Sequence, residues 1–284
     1  MLRLWVSLFG QSVACALVTF AGISLWKSAT VYFHDPPAAK RVMHTFFAAG
    51  RRPEKEALET LSAWQFNWRR AGWKTRILTE KEARHSRLYN MMSEVLANAT
   101  VKQVAANGKH VFGQHERTLY LRYVAMAAVG GGWMSDWDTL PTHFAPGAVL
   151  PNNGTFTVFQ GHIPSLVSGY RQEYERVSSE MMRLLQAQQG PVDNDEGPYS
   201  DRLALRDLVK NGAVRSEVDV ILADTWPMFP KKFPCEMAAV HNRAVHFSTH
   251  AIETLGFFVN ARGALMNRSM DRWWECTHAA MVVP

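Results

Sequence analysis

The segment Arg122-Tyr-Val-Ala-Met-Ala-Ala-Val-Gly-Gly-Gly-Trp-Met-Ser-Asp-Trp-Asp138 changes character part-way along, and that change bears most directly on the fold. Its first half belongs to a helix over Glu116–Val129, because Leu119, Tyr123, Met126 and Ala127 recur on one side at helical spacing. Gly130, Gly131 and Gly132 stop that helix, and without a Cβ they let the backbone turn sharply and approach a ligand closely. Trp133 to Asp138 then reads as a short strand or strand end. Upstream, Arg41–Phe47 has the β-branched and aromatic content of a buried strand. Glu54–Ala71 carries Leu58, Leu61, Trp64 and Trp68 at helical spacing, read as core packing, with Gly72 as its C-terminal cap. Trp73–Thr79 is a second strand. Downstream, Phe156–Phe159 reads as a strand and Gly169–Gln189 as a helix. A polar Gly/Pro loop over 190–200 leads into a helix at Asp201–Lys210, and Val218–Leu222 and Ala244–Phe247 are late strands. Strands alternating with helices predict an α/β domain with a mostly parallel sheet flanked by helices. In such sheets ligands bind at the carboxyl ends of strands, where Asp136 and Asp138 fall.

In an extended segment residues two apart point the same way, so the carboxylates of Asp136 and Asp138 are expected on one side and Trp137 in the core. Two hard oxygen ligands suit Mn²⁺ or Mg²⁺ and leave coordination positions for a diphosphate, toward which the metal acts as a Lewis acid. His246 is the candidate third ligand, against the alternative of a core histidine bonded to backbone, and His250 is a substitute for it. A second Asp-x-Asp, Asp193-Asn-Asp195, lies in the polar loop and reads as a solvated turn. Glu196-Gly-Pro198, at the entrance to the Asp201 helix, reads as a helix cap.

The order Arg-Tyr in a helix, an aliphatic stretch, Gly-Gly, an aromatic residue and Asp-x-Asp resembles glycosyltransferase family 32, the sugar transferases with a DXD motif, and more distantly the glucosylating bacterial toxins. Val42–Phe47 resembles the opening strand of that family and Ala244-Val-His246 its late histidine strand, so the likeness touches most of residues 40–250. The resemblance implies a GT-A fold, a nucleotide-sugar donor, Mn²⁺ held by the two acids, and retention of anomeric configuration. It makes Asp138 the main metal ligand, Asp136 a ribose or metal contact, and Arg122, with Gly131 and Gly132, part of the donor site. Two departures stand out. The family's acid three residues before the arginine is Leu119 here, and one extra residue separates Arg122 from the acids. No catalytic base is assigned.

Leu4–Trp26 is an uncharged run of 23 residues. As a helix it would be about 34 Å long, enough to span a bilayer. Arg3 and Lys27 bracket it and Trp5 and Trp26 sit near its ends, so residues 1–27 read as a short cytosolic tail and signal anchor. A cleaved signal peptide is the competing reading. Residues 28–40 form a linker and 41–284 the catalytic domain, placed in the lumen of the Golgi or endoplasmic reticulum as a single-pass type II protein. Three sequons, Asn98-Ala-Thr100, Asn153-Gly-Thr155 and Asn267-Arg-Ser269, agree with that compartment. Cys15 lies in the apolar run, leaving Cys235 and Cys276 as two reduced core thiols or one disulfide.

Hydrophobic residues at 47% and charged residues at 20% exclude wholesale disorder and a polytopic membrane protein. The net charge of +6 suits an anionic partner such as a diphosphate. Nucleic acid is not expected, because the basic residues are mixed with Glu54, Glu56 and Glu59 and no recognition motif is present. The expected partners are therefore a nucleotide-sugar donor, a glycan, glycoprotein or glycolipid acceptor, and a membrane through the N-terminal segment. Two other readings compete. Asp136-Trp-Asp-Thr-Leu140 also fits a haloacid-dehalogenase-like phosphatase with Asp136 as nucleophile, and Leu119 admits an inactive carbohydrate-binding relative.

Overall fold

In chain order the elements are β1 (Val42–Phe46), α1 (Lys55–Arg70), β2 (Lys74–Leu78), α2 (Glu80–Ala83), α3 (Tyr89–Lys102), α4 (Gln114–Ala128), β3 (Gly131–Ser135), β4 (Thr139–Pro141), β5 (Thr157–Val158), β6 (Leu166–Tyr170), α5 (Arg171–Ala187), α6 (Asp201–Lys210), β7 (Arg215–Ser216), β8 (Val220–Leu222), β9 (Ala244–His246), α7 (Thr249–Thr254) and α8 (Arg262–Met281). The computed structural model describes residues 41–48, 54–102, 113–146, 149–187, 199–226, 235 and 242–281. The anchor at 4–26, the linker at 28–40, Asp193, Asp195 and Glu196–Pro198 lie outside the described residues. Among the described residues no helix is long and apolar enough to cross a membrane.

The main sheet runs β2-β1-β3-β6-β5-β7. β1 is parallel to β2 and β3, β5 is parallel to β7, and β6 is antiparallel to both its neighbours, so a single strand runs against the rest. Successive strand residues alternate between two cores, as the pleat requires. Phe46, Met134, Val158 and Val167 face a core shared with α3 to α6, while Met43, Trp133, Phe159 and Leu166 face one shared with α1 and α8. Helices thus cover both faces, which is the condition under which a largely parallel sheet is stable. A smaller sheet, β4-β9-β8, lies in the second core through Leu140, Val220, Ala244 and Val245.

The α/β alternation holds, with three differences. The sequence places Gly169 and Tyr170 at the start of the following helix and assigns no strand to 166–168, because Leu166-Val-Ser-Gly-Tyr170 carries a Ser-Gly pair where a strand signal is expected. Its reversal is what makes the sheet mixed. α2, α3, α7, α8 and the short β4 and β7 carry no distinct signal in the sequence reading. Within α1 the stripe is shifted: Leu58 is half exposed, whereas Thr60, Leu61, Ala63, Trp64, Asn67 and Trp68 are buried.

The buried tryptophans also position the acidic segment. Trp64 Nε1–H donates to Ser135 Oγ at 2.8 Å, and Trp68 Nε1–H donates to the Thr139 carbonyl at 2.9 Å. Two turns of one helix therefore hold both ends of the stretch that contains Asp136 and Asp138. Trp68→Phe keeps most of the apolar volume but removes the donor. We expect it to cost about 1–3 kcal/mol, the range for orphaning a buried polar group, read as a lower denaturant midpoint at unchanged slope.

Candidate metal centre

Asp136 follows the last residue of β3, and its N–H donates to the Ser165 carbonyl at 2.8 Å. The Thr139 N–H donates back to the Asp136 carbonyl at 3.0 Å, so Asp136–Thr139 is a turn and not the extended segment expected from the sequence. Trp137 packs against the second core without being fully enclosed by it. It is partly buried, lines a cleft, and meets Phe47 edge-on at a centroid distance of 5.6 Å. The carboxylates still converge, because a second chain segment is brought to them. The β4–β9 register sets Thr139 opposite His246, and the Phe247 N–H donates to the Asp138 carbonyl at 2.8 Å. One ligand-type atom from each of Asp136, Asp138 and His246 lies within 4.8 Å of the others.

Each of the three is held from behind. Arg122, buried, donates through Nη1 to Asp136 Oδ1 at 2.5 Å and through Nη2 to Asp201 Oδ2, and Tyr123 Oη donates to the same Asp201 oxygen at 2.8 Å. Arg262 Nη1 donates to Asp138 Oδ2 at 3.0 Å, and its Nη2 donates to Thr249 Oγ1 at 2.7 Å. His246 Nδ1 lies 2.9 Å from Gln160 Oε1, an acceptor that also takes the Ser165 hydroxyl at 2.5 Å. A hydrogen on Nδ1 satisfies that contact, which leaves Nε2 of the neutral ring as a lone pair 3.4 Å from Asp138 Oδ1. Two acceptors so placed need a proton or a cation between them. Two arginines against Asp136, Asp138 and Asp201 leave the cluster one charge negative when His246 is neutral.

The electrostatics separate the two acids. Burial drives the Asp136 carboxyl up to about 6; Arg122 opposes this, but its charge is shared with Asp201, and the Asp138 carboxylate adds to the rise. Burial acts on Asp138 in the same direction, but His246 and Arg262 more than offset it and hold that carboxyl below its ordinary value. Burial lowers His246, and the Asp138 and Asp136 charges outweigh it, so the imidazole is raised above its usual range. Burial disfavours the Arg122 charge as well, but Asp201, Tyr123 and Asp136 reverse the balance.

Beside the acids is a cleft of about 260 Å³ at the carboxyl ends of β1 and β3. It is lined by Phe46, Phe47 and Trp137, by Gln114, His115, Thr118 and Leu119 of the first turns of α4, and by Arg122 and Asp136. Gly131 and Gly132 are not there. They sit at the opposite end of β3, paired with Tyr170 and Gly169, and their φ values of 75° and 116° are the reason for glycine. A Cβ on Gly131 would come within 2.6 Å of the Gly169 carbonyl. Arg122 does line the cleft, but with its Nη atoms committed to two aspartates it acts as a brace for Asp136. His250 is exposed on α7 and outside the cluster. Gln160, Asp201, Thr249 and Arg262 had no signal in the sequence as site residues, since each belongs to the cluster only through long-range contacts. Comparison with protein-family models and with curated proteins finds no match to this chain.

The two acids are expected to have opposite effects on stability. A carboxyl whose folded pKa lies above its unfolded value penalises the folded state progressively as pH rises from about 4 to about 6, and the penalty persists above. Asp136→Asn should therefore stabilise the metal-free protein at pH 7 by about 1–3 kcal/mol, trimmed by the 27% of its side chain that stays in solvent, and the gain should vanish near pH 4. A depressed carboxyl contributes stability at neutral pH that is lost as pH falls through its folded pKa, so Asp138→Asn should destabilise at pH 7 and less so in acid. Chemical denaturation of both variants at pH 4 and 7 checks this. Equal shifts of one sign would contradict the electrostatic assignment.

Proposed function

We propose that this chain is a metal-dependent glycosyltransferase, moving a sugar from a nucleotide-diphosphate donor to a glycan, glycoprotein or glycolipid acceptor. In this reading Asp136, Asp138 and His246 hold Mn²⁺ or Mg²⁺. The observation that carries it is the approach of His246 Nε2 to Asp138 Oδ1 at 3.4 Å, with ligand-type atoms of Asp136, Asp138 and His246 all within 4.8 Å of one another and Asp136 lining an aromatic-walled cleft. Two carboxylate oxygens and one imidazole nitrogen suit such a cation. When bound, the ion supplies positive charge to a leaving diphosphate. The chain's own residues supply position: Arg122 and Asp201 fix Asp136, Arg262 fixes Asp138, and Gln160 fixes the tautomer of His246. Phe47 and Trp137 offer flat apolar faces to a nucleobase. At about 260 Å³ the cleft is smaller than most small-molecule sites, which fits the nucleoside end of a donor whose diphosphate lies toward Asp136.

The resemblance to glycosyltransferase family 32 points the same way and adds a GT-A fold and retention of configuration to the proposal. The phosphatase alternative needs Asp138 to carry a proton as general acid, and the contacts that keep its carboxyl ionised weigh against it. We further propose a type II membrane anchor at Leu4–Trp26 with the catalytic domain in the Golgi or endoplasmic reticulum lumen. The Cys235–Cys276 disulfide supports an oxidising compartment.

Mn²⁺ together with the cognate nucleoside diphosphate should raise the melting temperature more than either alone, since a ligand that binds only the folded state stabilises it by RT ln(1 + L/Kd), where L is its free concentration. Asp138→Asn, and less severely Asp136→Asn, should abolish that joint shift. Metal-dependent sugar transfer or donor hydrolysis should fall by several orders of magnitude in rate, at roughly 1.4 kcal/mol per tenfold. A panel of nucleoside diphosphates with Mn²⁺ that produces no shift in the unmodified protein would reject the reading. For the anchor, sealed microsomes should protect the domain from protease until detergent is added.

A further inference from the structure

We propose that Asn153 is N-glycosylated and that the folded protein has room for a glycan there but not at Asn267; the inference rests on the lumenal placement proposed above. The sequence contains three acceptor sequons that are formally alike, and the fold separates them.

Asn153 occupies the corner of a tight turn. Asn152 and Asn153 have φ of 52° and 54°, and the Gly154 N–H donates to the Pro151 carbonyl at 2.9 Å, so Pro151–Gly154 has the left-handed pair of a type I′ turn. The two asparagines are used differently. Asn152 Nδ2 is committed, donating to Thr157 Oγ1 and Glu217 Oε1 at 3.0 Å each. Asn153 is exposed, and its amide makes no hydrogen bond among the described residues. Gly154 holds the turn in place, since its Cα lies so close to Tyr170 that an added Cβ would fall 2.1 Å from the ring.

That contact also fixes where a glycan would point. Tyr170 pairs with Gly131 at the start of β3, whereas Leu166 pairs with Ser135 at its end, next to Asp136. The turn therefore sits at the far end of the strand from the acids, separated from them by a strand length of about 13 Å. A sugar chain on Asn153 leaves the cleft open.

Asn267 is the opposite case. It lies in α8, and its Oδ1 accepts from Asn67 Nδ2 of α1 at 3.0 Å. Its sequon partner Ser269 is buried and donates to the Leu265 carbonyl at 2.8 Å. Asn267 is partly buried, and a glycan on its Nδ2 would crowd the α1–α8 contact that its Oδ1 bridges and the buried Ser269 beside it, so the fold disfavours modification there. Asn98 is exposed on the regular helix α3 and carries no such discrimination.

The modification is a group transfer. Asn153 Nδ2 forms a bond to the anomeric carbon of an oligosaccharide as the bond from that carbon to a lipid diphosphate breaks. The lipid diphosphate leaves, and the amide loses one proton to solvent. The oligosaccharyl diphospholipid and the transferring enzyme come from the secretory pathway.

Asparagine is favoured in left-handed turns even without a glycan, so the test must remove the acceptor without disturbing the turn. Thr155→Ala does so, because the Thr155 side chain makes no hydrogen bond among the described residues. Asn153→Asp is the second variant and keeps the turn preference. The full chain, with a C-terminal Asn-Gly-Thr reporter appended, is expressed in a secretory-competent eukaryotic cell, and the folded fraction is treated with peptide N-glycosidase in heavy-oxygen water and read by peptide mass spectrometry. The expected result is isotope-labelled aspartate at position 153 and at the reporter, none at position 267, and loss of one glycan step in both variants at an unchanged melting response to Mn²⁺ and nucleotide. A labelled reporter with unmodified Asn153, or glycan on Asn267 in folded protein, overturns the inference and leaves the lumenal placement standing. An unlabelled reporter removes the lumenal placement, and the inference with it.

Discussion

A guanidinium with almost no solvent around it has to be surrounded by carboxylates, and Arg122 meets that demand by joining its own helix to the end of the next strand and to a helix start 79 positions away. An unpaired buried charge would cost several kcal/mol. The charge is satisfied by Asp136 at the end of β3 and by Asp201 in the first turn of α6, with Tyr123 bonded to the same Asp201 oxygen. The consequence is geometric. Helix α4, the end of the central strand and the start of α6 are fixed to one another at the place where the cleft opens, so the orientation of Asp136 is set by the core and not by a flexible loop.

The second acid is fixed by different means. β4 is only three residues long, yet its register against β9 carries His246 to Asp138, while Trp64 and Trp68 hold the two ends of the intervening turn from below. Arg262 reaches in from the start of α8 and ties Asp138 to Thr249. The site is thus assembled from both sheets and from helices on both faces. Its cost is visible in the raised carboxyl of Asp136, whose burial Arg122 only partly offsets. Sites of this kind commonly hold stability in reserve for a ligand.

How much of this was legible differs from element to element for physical reasons. The helix before the glycines, the tryptophan-bearing helix and the first two strands were readable because each has a strong local period and a clear stop, such as Gly72 with φ of 87° after α1. β6 was not, because a buried strand with a Ser-Gly pair has no alternation to detect, and its reversed direction is decided only by pairing. The turn at Asp136–Thr139 was misread as extended for a related reason: Asp-x-Asp spacing is compatible with either, and it is the Trp68 and β9 contacts that select the turn. Gly131 and Gly132 were assigned to the ligand because glycine before an acidic pair suggests close approach, whereas the backbone they allow to come close is that of β6.

The sequence by itself determined the α/β class and the pair of acids after a strand, and offered His246 as a candidate to join them, because hydrophobic period, glycine punctuation and metal-type ligands are properties of short segments; the β4–β9 register decided that His246 does. It also determined where sequons and cysteines stand, though not which are usable. Tertiary structure alone decided that Asn153 stands exposed while Asn267 is bonded to Asn67 across two helices, that Cys235 meets Cys276, and that Arg122 braces an acid instead of reaching outward. Each of those outcomes depends on a partner 14 to 200 positions away, and no local pattern encodes a contact whose other half is chosen by packing.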